Sequence, residues 1–174
     1  MKSIAVVLLN WNGVELLKKF LPTIVSYSKD AVIYIADNKS TDDSKTFVTT
    51  NFKDIHWIQL SDNYGYAKGY NEALKHVHEE YICLLNTDIE VTENWLQPIL
   101  NTFKNNIEKD ENQYPSQEIF WASGACLFIK NSVFKDLNGF DDLFFAHQEE
   151  IDLCWRAFNK NIKIHYCNES TVYH

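Results

Sequence analysis

The first half of the chain alternates short apolar runs with segments in which apolar residues recur at helical spacing. Residues 4–9 and 31–36 are continuous apolar runs, as in central parallel strands that are covered on both faces. A third strand is predicted at 55–60, and a fourth, again a continuous apolar run, at 81–85. Between the runs, apolar residues three or four positions apart indicate one buried face of a helix. The alternation predicts an α/β fold with a mostly parallel central sheet flanked by helices.

The second half has a less regular pattern. Thr92 is expected to cap a helix that contains Pro98, and Pro98 should bend that helix or cost it a hydrogen bond. Residues 105–117 are polar and aperiodic, which predicts a mobile loop. Further predicted elements are an apolar segment at 120–129, helices at 132–137 and 149–158, and a strand at 162–167. The last helix is expected to turn four residues inward: Ile151, Cys154, Trp155 and Phe158.

Polar residues collect directly after the apolar runs. Asn10 and Asn12 follow the first run, Asp37 follows the second, and Asn86 and Asp88 follow the fourth. In open α/β sheets, ligands bind at the carboxyl ends of the strands. These side chains are therefore expected to share one ligand site.

Composition and charge narrow the class of protein. The 174 residues are 45% hydrophobic and 14% aromatic, which is typical of a globular domain. A net charge of -8 argues against nucleic-acid binding, and it means that an anionic substrate would need a local cation or a bridging divalent ion. The four cysteines form no CxxC pair and the apolar run at 4–9 is too short for a signal peptide, so we expect a reducing, cytoplasmic location.

Two acidic groups are candidates for chemistry. Asp88 is a hard oxygen ligand suited to Mg2+ or Mn2+, although it can equally cap the following turn. The first turn of the last predicted helix carries three acids, Glu149, Glu150 and Asp152, and the helix dipole stabilises negative charge there. Because they follow the apolar segment 144–147, one of them is a candidate general base with a raised pKa.

The segment 63–71 and the C-terminal histidines give weaker signals. Gly65 and Gly69 allow close backbone approach and Lys68 can offset phosphate charge, but the segment is neither a dinucleotide fingerprint nor a P-loop. A zinc site formed by His165, Cys167 and His174 is an alternative that lacks a recognised spacing.

In this order, the motifs resemble the family 2 glycosyltransferases with a GT-A fold, and within them the rhamnosyltransferase-like branch. The resemblance covers nearly the whole chain. The motifs that carry it are VVLLNWN at 6–12, ADNKSTD at 36–42, NYGYAKGYN at 63–71, LNTD at 85–88, ASGA at 122–125, GFD at 139–141, EEIDLCWR at 149–156 and VYH at 172–174.

The resemblance implies a single GT-A domain over residues 1–174, with a nucleotide-binding half at 1–88 and an acceptor and catalytic half at 89–174. It also implies roles for individual residues. Those expected to bind the nucleotide-sugar donor are Leu9, Asn10, Asn12, Asp37, Gly65, Lys68 and Asn86, with Asp37 meeting the base. Those expected to hold Mg2+ or Mn2+ are Asp88 and His174, and those expected to act in catalysis are Glu150 as general base with Glu149 and Asp152 beside it.

The resemblance implies transfer of a sugar, with inversion, from a nucleotide-diphosphate donor to a saccharide or lipid-linked glycan. Polysaccharide or glycoconjugate assembly, with peripheral association at the cytoplasmic membrane face, follows as an expectation. The sequence departs from the family pattern where Asn86 replaces an acid and where Glu150 replaces a shorter Asp. The alternatives are a non-catalytic nucleotide-sugar-binding domain of a truncated transferase and a glycoside hydrolase, which also uses two acids.

Overall fold

The computed structural model describes residues 3–105 and 117–174. The strands in these residues are β1 (Ile4–Asn10), β2 (Ala31–Asp37), β3 (His56–Gln59), β4 (Tyr81–Leu85), β5 (Glu90–Val91), β6 (Gln117–Ile119), β7 (Cys126–Lys130), β8 (Ile164–Tyr166) and β9 (Val172–Tyr173). The helices are α1 (Val14–Tyr27), α2 (Ser44–Asn51), α3 (Gly65–Leu74), α4 (Leu96–Asn105), α5 (Asn131–Asp136) and α6 (Glu149–Asn159).

The main sheet has the strand order β3-β2-β1-β4-β7. Its first four strands are parallel and β7 runs antiparallel to β4. The predicted mostly parallel sheet is therefore confirmed. Two small antiparallel sheets, β5-β9 and β6-β8, complete the pairing in the described residues.

Side chains of the central strands point alternately into two apolar layers. In β1, Ala5 and Val7 enter the layer beneath α3, whereas Ile4, Val6 and Leu8 enter the layer beneath α1. Because both faces of the strand are covered, every position is apolar, which is why the run shows no alternation with polar residues.

The helix after β5 begins later than the sequence predicts. It starts at Leu96, and the hydroxyl of Thr92 donates to the carbonyl of Thr171 instead of capping the helix. Pro98 consequently lies in the first turn, where the missing N–H costs no intrahelical hydrogen bond, so the expected loss of a hydrogen bond does not occur. The predicted mobile loop at 105–117 falls almost entirely outside the described residues.

Helix α6 turns a different face to the core from the one predicted. Leu153, Cys154 and Ala157 are buried, whereas Ile151, Trp155 and Phe158 are exposed. Of the four residues expected inward, only Cys154 is buried. Two apolar stripes share this helix, and periodicity alone does not decide which of them packs against the sheet.

All four cysteines are free thiols, with Cys83 and Cys154 buried. In the part of the chain that the structure describes, none of the helices combines the length and the apolar character needed to span a bilayer.

Candidate active site

The carboxyl ends of β1 and β2 carry a buried polar network around Asp37. The parallel register places Asn10 opposite Asp37. The Asp37 carboxylate accepts hydrogen bonds from Asn10 Nδ2 at 2.9 Å, Ser40 Oγ at 2.6 Å, the Ser40 amide at 2.9 Å and Gln59 Nε2 at 2.8 Å. A carboxylate offers about four acceptor positions, and internal donors fill them here. Asp37 thus holds the ends of β1, β2 and β3 together, and its predicted contact with the base would need one of these donors to move.

Asn12 shapes the same edge from the loop after β1. Its backbone is left-handed, with φ of 48°. Its amide donates to Ser40 Oγ at 2.8 Å and its Oδ1 accepts the Thr41 amide at 2.8 Å. The neighbouring Trp11 is exposed, which leaves a large aromatic face open beside this network.

Gly65 and Gly69 lie in the first part of helix α3. Gly65 has φ of +71°, and a Cβ there would lie 2.4 Å from the carbonyl oxygen of Phe145. A Cβ at Gly69 would lie 2.9 Å from Leu9 Cδ2 and 3.0 Å from the Asn38 side chain. The space left by the missing Cβ atoms is therefore filled by Phe145 at Gly65 and by Leu9 and Asn38 at Gly69, and the Leu9 side chain packs against α3.

Lys68 offers a cation close to the beginning of α3. Its Nζ lies 4.9 Å from the ring centroid of Tyr64. Among residues 3–105 and 117–174, the ion pairs do not include Lys68. Its charge is consequently available to an anionic ligand.

The two predicted metal ligands meet. Asp88 follows β4 and His174 follows β9, and the pairing of β5 with β9 brings these ends together. Asp88 Oδ2 lies 3.3 Å from His174 Nε2, and both side chains are open to solvent.

One carboxylate and one imidazole fit a Mg2+ or Mn2+ ion whose other ligands are water and substrate phosphates. Within the described residues, no group of three or more His, Cys, Asp or Glu side chains is placed to hold a metal. The zinc alternative at His165, Cys167 and His174 is therefore not supported.

Glu149 and Glu150 form a pair of carboxyl groups at the start of α6. Glu149 is only 4% exposed, and the Oε2 atom of each residue is buried without a hydrogen-bond partner. Burial raises the pKa of Glu149, and the charge of Glu150 raises it further. His147 and Gln148, just before them, both have φ of 72°. Two unpaired acceptors on a strained segment are typical of a ligand site.

Asp152, the third predicted acid, has a different partner. It accepts from Arg156 Nε at 2.8 Å and from Nη2 at 2.6 Å. Arg156 also donates through Nη1 to the carbonyl of Leu137. Asp152 thus helps to hold α6 against the end of α5, and a role in acceptor binding would have to compete with Arg156.

An apolar cavity of about 650 Å3 lies behind β7, between α4, α6 and β8. Among the described residues that line it, none is acidic, and His174 is part of the lining. The acidic residues of the candidate site therefore lie outside it.

The main sheet, with four parallel strands and the antiparallel β7 at one edge, has the GT-A fold of glycosyltransferases. The chain belongs to glycosyl transferase family 2, whose family model matches residues 5–137. The resemblance seen in the sequence is thereby confirmed.

Two curated relatives and one solved structure show the range of similarity. The low-salt glycan biosynthesis hexosyltransferase Agl10 of Haloferax volcanii is 22% identical over 99% of this chain and 67% of its own length. The rhamnosyltransferase WbbL of Escherichia coli is 34% identical over 32% of this chain and 21% of its own length. The crystal structure of GalNAc-T7 with UDP, GalNAc and Mn2+ superposes with a TM-score of 0.85 at 11% identity, covering 99% of this chain and 43% of that one.

Several residues of the network were not predicted. Gln59 and Tyr66 reach the site across the fold, and their contacts join positions 22 and 58 residues apart. Nothing in their local sequence pattern indicates those contacts. Ser40 lies in the ADNKSTD motif at 36–42, but its double role as hydrogen-bond donor and acceptor follows only from the geometry.

Proposed function

We propose that this chain moves a hexosyl or rhamnosyl group from a nucleotide-diphosphate sugar to an acceptor hydroxyl, with inversion at the anomeric carbon. The observation that carries the proposal is the Glu149–Glu150 pair, with two buried and unpartnered oxygens, on the domain that also pairs Asp88 with His174. A buried carboxyl oxygen without a donor costs stability, so its presence supports a substrate hydroxyl as the missing donor.

Glu150 is the proposed general base. As the acceptor oxygen attacks the anomeric carbon, its proton passes to a Glu150 carboxylate oxygen. The bond from the anomeric carbon to the diphosphate oxygen breaks, and its electron pair leaves with the nucleotide diphosphate. Glu149, which is more deeply buried, accepts a hydrogen bond from the acceptor and orients it.

Mg2+ or Mn2+ would be held by Asp88 and His174, and would supply Lewis-acid stabilisation of the departing diphosphate. The Mn2+ named with UDP in the GalNAc-T7 structure supports this choice of cation. It also answers the charge question, since a protein of net charge -8 would otherwise repel a diphosphate.

The donor pocket would be formed at the carboxyl ends of β1 and β2. Asn10 and Asp37 hold its wall, while Asn12 lines its rim. Lys68 would offset phosphate charge, and Asn86 would lie beside the cation.

Polysaccharide or glycoconjugate assembly at the cytoplasmic membrane face is the proposed setting. The acceptor would be a saccharide or a lipid-linked glycan. The glycan biosynthesis named for the Haloferax relative supports this setting.

Calorimetry with nucleotide sugars tests donor binding and its dependence on the cation. We expect binding in Mn2+ that weakens about tenfold or more in Asp88→Asn, since a lost ligand contact commonly has an effect of that order. Glu93→Gln, an exposed acid outside the site, is the matched control.

An assay of sugar transfer then separates the alternatives. Binding without transfer would support the non-catalytic nucleotide-sugar-binding domain. Cleavage of a glycoside with neither donor nor cation would support a hydrolase and overturn the proposal.

A further inference from the structure

Tyr66 occupies a position between the two sides of the candidate site. Its hydroxyl donates to the carbonyl of Gly124 at 2.6 Å. Its amide donates to the carbonyl of Phe145 at 2.7 Å. One residue therefore bonds two segments that are otherwise distant in sequence.

Each of these segments leads to one side of the site. Ala125, next to Gly124, accepts the amide of Asn86 at 3.0 Å, which ties this segment to the start of the Asp88 motif. Phe145 lies four residues before Glu149. The segment between them passes through His147 and Gln148, whose backbone is left-handed, and leads to the carboxyl pair. The continuous path runs from Asn86 through Tyr66 to Glu149.

The surroundings of Tyr66 hold its ring firmly. It packs edge-on against Tyr70 with centroids 4.7 Å apart, and it also contacts Phe140 at 5.9 Å. Burial raises its pKa, as do the charges of nearby Glu149 and Glu150, so the hydroxyl stays protonated and remains a donor. Gly124 is buried, and the Tyr66 hydroxyl supplies a hydrogen-bond donor to its carbonyl oxygen.

The glycine at position 124 makes this contact feasible. A Cβ there would lie 2.9 Å from the Tyr66 hydroxyl oxygen and 3.4 Å from Cζ. A side chain at 124 would therefore push the hydroxyl away, whereas a ring without a hydroxyl would leave room for it. The glycine and the tyrosine depend on each other.

We propose that Tyr66 is a positioning residue that sets the spacing between the cation and donor side, at Asn86–Asp88, and the carboxyl pair at Glu149–Glu150. The proposal rests on the proposed function, because the spacing matters only if both sides act on one pair of substrates. A displacement of about 1 Å in such a site is enough to cost up to a hundredfold in rate.

A double-mutant cycle with Tyr66→Phe and Gly124→Ala tests the proposal. We expect each single variant to lower kcat for sugar transfer tenfold or more with the donor KM within about threefold, since the donor site is left intact. The double variant is expected to lose no more than Tyr66→Phe alone, because the Cβ then meets no hydroxyl. Additive losses, or a kcat within twofold of wild type in Tyr66→Phe, would overturn the proposal.

Tyr34→Phe is the matched control. Tyr34 is a buried tyrosine on β2 whose hydroxyl donates to Glu79 at 3.2 Å, outside the site. Its variant should keep the wild-type kcat even if its melting temperature falls. An equal loss of kcat in Tyr34→Phe would mean that any lost tyrosine hydroxyl acts through general stability, and the proposal would fail.

Amide hydrogen exchange gives a readout that does not need activity. Tyr66→Phe should speed exchange in the 121–126 and 141–150 segments together, and Tyr34→Phe should not. If wild-type protein transfers no sugar but this coupled exchange appears, the proposed function fails, while the link that Tyr66 makes between the two segments is confirmed. If wild-type protein is active and exchange in both segments is unchanged in Tyr66→Phe, the positioning role of Tyr66 is wrong.

Discussion

At the residue scale, buried acidic groups without partners mark positions that cost the fold stability. Glu149 combines nearly complete burial with an unpaired Oε2, and its neighbour Glu150 carries a second unpaired oxygen. Asp37 is equally buried, yet four donors surround its carboxylate. The contrast separates an acid whose hydrogen bonds are met within the fold from two acids that each keep a free acceptor, as the proposed contact with a substrate requires.

Glu149→Gln should stabilise the fold at high pH. Burial raises the pKa of Glu149, so the folded state holds its proton more tightly than the unfolded state does. Stability from this group is therefore present below its ordinary pKa and is lost as the pH rises through the raised value. We expect Glu149→Gln to melt higher than wild type at pH 8, by the equivalent of about 0.5–2 kcal/mol, with a smaller gap at pH 5.

Thermal unfolding at both pH values measures that difference. Glu72→Gln, on the exposed side of α3, is the control because its Lys75 ion pair is solvent-accessible. An equal gap at pH 5 and pH 8 would show that the charge of Glu149 is not the cause.

Contacts between site residues were predictable only where a motif carried them. Asp88 and His174 were paired from the family motif, and the structure brings their side chains to 3.3 Å. Gln59 gave no such signal, since its contact with Asp37 depends on the register of β2 with β3. Asp152 was grouped with the catalytic acids because sequence proximity does not reveal that Arg156, one turn later, takes its carboxylate.

At the element scale, the start of α3 joins the sheet to the loop that precedes α6. Asn38 Nδ2 donates to the Gly65 carbonyl at 2.9 Å, and Phe145 approaches the same glycine closely. Position 65 requires glycine for two reasons: its φ is positive, and a Cβ would clash with Phe145.

Gly65→Ala should therefore destabilise the domain. The strained φ and the clash with the Phe145 carbonyl together are expected to cost about 1–3 kcal/mol, and the loop before Glu149 should detach. Urea unfolding measures the cost. Glu72→Ala on the same helix should change stability by less than about 0.5 kcal/mol, and an equal change in both variants would contradict the assignment.

Helix α6 allows a direct comparison of its two apolar stripes. Leu153 is buried at 2% exposure, so Leu153→Ala should cost about 2–5 kcal/mol. Phe158 is 56% exposed and rests mainly against Phe120 and Trp155, so Phe158→Ala should cost clearly less. Chemical denaturation of both variants checks the order, and a larger loss in Phe158→Ala would restore the face predicted from the sequence.

Elements were predictable where the apolar pattern had one interpretation. The central strands β1, β2 and β4 follow from continuous apolar runs, since only covered strands tolerate them, whereas the edge strand β3 also carries His56 and Gln59. Strands β5 and β9 have two residues each, and they pair across 81 positions in sequence at their matched residues Val91 and Val172. So short a segment has no periodicity, and the prediction placed Thr92 at a helix instead.

At the scale of the whole molecule, the sheet brings residues from distant parts of the chain to one edge. The residues proposed to bind the nucleotide follow β1 and β2, Asp88 and His174 meet where β4 and β9 end, and the carboxyl pair begins α6. This convergence was predictable from the rule that ligands bind at the carboxyl ends of parallel strands. The acceptor side was less predictable, because it depends on the loop before α6 docking against α3.

In the proposed transfer, Glu150 takes a proton from the acceptor while the donor is held elsewhere at the same site. Sugar transfer and donor affinity are measured side by side in Glu150→Gln, with Glu15→Gln, which changes an exposed acid on α1, as control. We expect Glu150→Gln to lose transfer by about a hundredfold or more while its donor Kd stays within threefold of wild type. Turnover in Glu150→Gln equal to that of Glu15→Gln would contradict the account.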